Sequence, residues 1–189
     1  MITTDAGSDA TADAGPPQPC WPDVTHVPQG SAQLGTGVDG YAGYKPMPDV
    51  LPLEYGTQDG YNLVAHVRMT GFSPGDPANL FDPRNPRTRI RAYFDDTDVP
   101  LNVAAECPFR LGYVPTGTGE FEMVSAVPVI FDTCWRSDNL IGRPLRIELE
   151  MLDGTSGGFT TDTKVVTAAA PVGFYPDQEM NSPGCVPPP

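Results

Sequence analysis

Three arginines, Arg87, Arg89 and Arg91, alternate with Thr88, Ile90 and Ala92, and Arg84 precedes them. Alternation of this kind puts the three guanidinium groups on one face of a strand. Like charges two apart on a strand face repel, so they call for acidic partners across the sheet, and Glu148 and Glu150 alternate outward in a similar run. The plain reading is a solvated cross-strand charge ladder. The sharper one is a face that binds carboxylate or sulfate, because arginine offers a planar two-donor fork. Asp95, Asp96 and Asp98 follow at once. Carboxylates so close together could ligate Ca2+, which takes six to eight oxygens. They also suit a turn, where an Asp side chain accepts bonds from nearby backbone N–H groups.

Aromatic side chains supply the other recognition chemistry. Tyr41 and Tyr44 lie in Gly40-Tyr41-Ala42-Gly43-Tyr44, a loop that could present its rings to a ligand or be anchored by them. Trp135 follows Cys134, a setting that favours core packing. For catalysis the inventory is thin. The two histidines, His26 and His66, read as surface or hydrogen-bonded side chains, and there is no Gly-x-Ser-x-Gly, His-Glu-x-x-His or phosphate-loop pattern. A paired-carboxylate hydrolase stays open, since such pairs are set by the fold and not by sequence spacing.

Composition bounds the class. With 11 Lys+Arg against 24 Asp+Glu, the net charge of −13 repels phosphate backbones, so nucleic acid is not an expected partner. No apolar run is long enough to span a membrane. Cys20, Cys107, Cys134 and Cys185 form no Cys-x-x-Cys pair, which favours disulfides over a zinc site. Three connectivities are possible. Cys107–Cys134, closing the base of a hairpin, and Cys20–Cys185, tying the ends together, are the expected pair. Disulfides in turn imply export.

The elements that would position these groups are short strands. The 23 prolines and 20 glycines of the chain exclude long helices. Alternation marks strands over Tyr61–Thr70, Arg87–Phe94 and Leu145–Met151, with weaker ones over Ala32–Leu34, Val50–Glu54, Phe109–Val114 and Phe159–Thr167. The run from Phe121 to Phe131 contains Pro128, which belongs at an edge or a bulge. In the first of these strands Tyr61, Leu63, Ala65, Val67 and Met69 share an apolar face, and Asn62, His66 and Arg68 a polar one. Residues 1–19 hold too little apolar mass to fold and read as a disordered acidic tether; 20–186 form the domain and 187–189 a proline tail. The expected fold is an all-β, antiparallel, Ig-like β-sandwich, with a β-barrel as second choice.

Leu34-Gly35-Thr36-Gly37 and the segment from Leu51 to Tyr61 resemble a pattern in exported lipoproteins of myxobacteria and their relatives. In those proteins a Gly-x-Gln-Gly-Gly-aromatic-His turn leads into a sandwich strand. Here Asp59 replaces the first Gly of the pair, and Asn62 stands where the His is usual. The resemblance implies export, a lipidated N-terminus removed from this sequence, and a cell-envelope or surface location. It implies nothing about activity. The expected function is a binding or display module that meets a protein or glycan at the cell surface, without a cofactor unless Ca2+. The alternatives are a secreted hydrolase and a structural subunit that self-associates through sheet edges.

Overall fold

The computed structural model describes residues 26–38, 40, 43–56, 60–102, 107–117 and 119–172. The expected tether and tail, and with them Cys20, Cys185 and Tyr41, lie outside the described residues.

Two sheets face one another and do not close into a barrel, so the fold is an all-β sandwich. The first contains β1 (Val27–Pro28), β13 (Gly158–Ala169), β12 (Pro144–Leu152), β7 (Arg87–Phe94) and β8 (Phe109–Arg110) in that order, with β4 (Val50–Pro52) also on β13. The second runs β3 (Lys45–Pro46), β2 (Ser31–Thr36), β6 (Gly60–Thr70), β10 (Glu120–Met123) and β9 (Tyr113–Pro115). In it β5 (Glu54–Gly56) and β11 (Val127–Ile130) flank the early half of β6. The one helix among the described residues, α1 (Ser137–Leu140), is a single turn.

The alternating strands behave as their side chains dictate. In β7 and β12 every second residue is buried, and Ile90, Phe94, Leu145, Ile147 and Leu149 meet Leu34, Leu63, Val67 and Met69 from the facing sheet. Each such fully buried side chain contributes about 1.5–3 kcal/mol through water released from apolar surface. Trp135 packs edge-on against Phe94, centroids 5.0 Å apart, as a core residue.

Two of the expected strands are each two strands in different sheets. Phe109–Val114 breaks at Leu111-Gly112: β8 pairs with β7 in one sheet and β9 with β10 in the other. Gly112 permits the crossing, since a Cβ there would collide with the backbone of Asp76 and Pro77. Val50–Glu54 breaks at Leu53 in the same way, with β4 parallel to β13 and β5 antiparallel to β6. Chain that switches sheets this often ties the layers together covalently.

Pro128 sits in β11, which pairs only with β6, so its missing N–H faces away from the ladder. Between β10 and β11 the register against β6 slips: Glu122 pairs with Arg68, but Val127 pairs with Ala65. The extra residues around Ala126 form a bulge. Neither described cysteine, Cys107 nor Cys134, is a free thiol. They flank segments in different sheets, β8 and β11, so a bond between them would join the layers and would not close a hairpin.

Candidate functional site

Arg89 and Arg91 face Glu150 and Glu148 directly across β7 and β12. Arg89 Nε donates to Glu150 Oε2 at 2.6 Å, and the Arg91 guanidinium lies 3.3–3.5 Å from Glu150 and Glu148. Arg146 continues the row, donating to Glu148 at 3.0 Å and to Asp98 at 2.7 Å. The cross-strand ladder is therefore built much as the alternation implies. Arg87, the third expected rung, instead faces Arg110 of β8.

Asp95, Asp96 and Asp98 lie at the end of this face, in the turn after β7. Each is answered by an arginine. Arg143 grips both oxygens of Asp96 at 2.6 and 2.8 Å, and Arg146 lies 3.6 Å from Asp95 and 2.7 Å from Asp98. No group of three or more His, Cys, Asp or Glu able to hold a metal occurs among the described residues. The turn chemistry is visible directly: Asp98 has a φ of 57°, the left-handed region that Asp tolerates better than most residues.

The opposite sheet holds the more unusual arrangement. Asn62, Val64, His66 and Arg68 share the outer face of β6, where solvent would be expected, yet Asn62 is 5 % exposed and His66 not at all. Of the two settings expected for His66, surface or hydrogen-bonded, this corrects the first. For His66 the reason is a roof made by described residues between β2 and β3, Gly37, Gly40 and Tyr44. Gly40 N–H donates to the Ala126 carbonyl at 3.2 Å, and Tyr44 N–H donates to Glu122 Oε2 at 3.1 Å. The Tyr44 ring then lies over Gly35, where any Cβ would collide with the ring and with the Lys45 carbonyl. Gly37 is tight for the same reason, against Ala126 and the His66 ring. The Arg68 guanidinium covers Tyr44 at 4.3 Å from its centroid.

His66 has neither ring nitrogen in good hydrogen-bond geometry, and Asn62 Oδ1 and Arg68 Nε likewise have no partner. Burial pushes the His66 pKa below its usual value, against the opposing pull of Glu122 and a Val67 backbone group. The imidazole is thereby kept neutral. Burial also raises the Tyr44 phenol. Tyr44 was legible as a candidate; His66, Arg68 and Glu122 were not, because their grouping depends on the bulge at Ala126.

Beside this roof, a groove of about 650 Å³ opens where the chain switches sheets. Leu51, Leu53, Tyr55 and Val64 form much of its wall, and Lys45 and Glu54 supply its charges. The Thr36 hydroxyl donates to the Val64 carbonyl at 2.7 Å and fixes one side. Gly37 belongs to both the groove and the wall of the His66 cage, so the two features are contiguous. Among the described residues, the chemistry on offer is recognition: an aromatic face, apolar walls, one ammonium and one carboxylate. Comparison of the chain with protein-family models, with characterised proteins and with solved structures finds no match.

Proposed function

We propose that this chain is a binding and display module of the cell envelope, exported and lipid-anchored in its precursor, that meets a protein or glycan at the cell surface. Its Ig-like sandwich acts as a rigid support. The groove beside Tyr44 receives the ligand, with contacts made mainly by apolar and aromatic walls. The observation that carries this reading is the groove's lining, in which, among the described residues, Glu54 is the one carboxylate and Lys45 the one cation. A carboxylate-pair hydrolase needs two acidic groups across a cleft, about 5–10 Å apart. A binding groove needs shape, apolar area and a few orienting charges, and these are present.

The test is a screen of the immobilised full chain against peptide and glycan arrays, repeated with Lys45→Ala and Tyr55→Ala. A ligand whose affinity falls about tenfold in both variants, close to 1.4 kcal/mol each, supports the reading. Turnover of a glycoside or peptide substrate that disappears in Glu54→Gln would replace it with an enzyme.

A further inference from the structure

Six of the nine arginines of this chain stand in ion pairs with a carboxylate. Arg68 is answered by Glu120, Arg84 by Asp82, Arg89 and Arg91 by Glu150 and Glu148, Arg143 by Asp96, and Arg146 by Asp98. Arg87 and Arg110 are directly opposed in the β7–β8 pair, with both side chains on the outer face. Neither has a carboxylate within ion-pair distance among the described residues. Like charges placed opposite one another destabilise a strand pair. Here they stand on a ladder whose next two rungs are paired.

Their surroundings do not neutralise them. Asp82 is near enough for Arg110 to influence its ionisation, but its oxygens are taken up by Arg84, with Nε at 3.0 Å and a terminal nitrogen at 2.7 Å. Across β12, Arg87 faces Leu152, an apolar side chain only 3 % exposed. Among the described residues, the two guanidinium groups therefore share a half-buried site with an apolar wall and no carboxylate bound to either of them.

We infer that Arg87 and Arg110 together bind an oxyanion of the ligand, a carboxylate or a sulfate group, held between their two guanidinium forks. This rests on the binding reading and names the chemistry of a second contact, at residues outside the groove's lining. A bound oxyanion accepts charge-assisted hydrogen bonds from both side chains and cancels their repulsion. Burial and the Arg110 charge already hold the Arg87 pKa below its usual range, and an anion opposes both effects. Long-range repulsion by the net charge of −13 does not forbid this, because salt screens it beyond about 8–10 Å under physiological conditions.

The experiment follows the arginine Nε–Hε resonances of the full chain while sodium sulfate, or separately sodium acetate, replaces chloride at constant ionic strength. Saturable shifts at Arg87 and Arg110, with Arg89 unmoved, are the expected result. Arg87→Gln and Arg110→Gln each weaken the saturating anion about tenfold. Arg89→Gln, on the same strand face, leaves it unchanged and controls for folding. Saturation by both anions supports the shared chemistry; by sulfate alone, a sulfate ester; by acetate alone, a carboxylate. Linear, unsaturated shifts, or equal shifts at Arg89, overturn the inference. Array ligands that depend on Tyr55 but not on Arg87 would overturn it while leaving the binding function standing. Saturable sulfate without any array ligand would do the reverse.

Discussion

The Tyr44 ring stands edge-on to the His66 imidazole, centroids 6.0 Å apart and planes at 80°, and closes a fully buried histidine beneath it. The groups facing that imidazole are Tyr44, Arg68 and Glu122. Because its pKa is lowered in the folded state, the unfolded chain binds the extra proton first. Stability conferred by the neutral ring is complete above the ordinary histidine value of 6.5, and falls as pH drops from there towards the folded pKa. Urea unfolding midpoints between pH 5 and 8 should show this slope. His66→Phe, which keeps the ring and removes the titration, should flatten it. An unchanged slope in the variant would assign the effect elsewhere.

Gly35→Ala should destabilise the protein by about 1–3 kcal/mol, since the added methyl meets both a backbone carbonyl and the Tyr44 ring. Combining it with Tyr44→Ala should recover only part of the loss, because Lys45 backbone still stands in the way. Chemical denaturation of the two single variants and the double variant measures both statements.

Asp153 organises the β12–β13 hairpin. Its carboxylate accepts from the Thr155 amide and hydroxyl at 2.7 and 2.6 Å, from Ser156 N–H at 2.8 Å and from Ser73 N–H at 2.7 Å. Burial alone would raise its pKa, but these donors outweigh burial and bring it below the ordinary value of 3.8. The sign follows: the folded state prefers the charged form, so this stability is present above about pH 4 and disappears as acid protonates the group. Asp153→Ala should cost about 2–3 kcal/mol at neutral pH, and less at pH 2.5. Thermal melts at the two pH values give the comparison.

The Arg89–Glu150 pair, with side chains 17 and 21 % exposed, should show a coupling of about 0.5–1 kcal/mol in a double-mutant cycle with Gln at each site. Raising salt to about 1 M, where the screening length is about 3 Å, should erode it. Calcium provides a contrasting test. Arginine already occupies Asp95, Asp96 and Asp98, so millimolar CaCl2 should leave the melting temperature unchanged. A rise that vanished in Asp96→Asn would favour the cation reading instead.

Much of the sandwich was legible because alternation is a local property. Ile90, Phe94, Leu145 and Ile147 announce their buried face within a few residues, and the pairing of Arg89 and Arg91 with Glu150 and Glu148 follows from two such runs. The sheet switches at Leu53 and Leu111-Gly112 were not legible, since both sides of each break read as extended chain. The same limit hid the site. His66 alternates as an outward residue should, and the roof laid by Tyr44 and anchored on Glu122 covers it. The sharp meaning of Arg87 depended on Arg110, a residue 23 positions away whose strand is two residues long.

One seam has a bearing on how the chain is made. Leu34 N–H on β2 donates to Asp162 Oδ2 on β13 at 2.8 Å, across a separation of 128 residues. When β2 emerges from the ribosome, the side chain that will cap it has not been synthesised. The nascent protein must therefore carry a naked strand border through most of its translation, a period when stray pairing is easiest. Closure of that border waits for the last strand, so a chain shortened before Asp162 should clump on synthesis where the complete one does not.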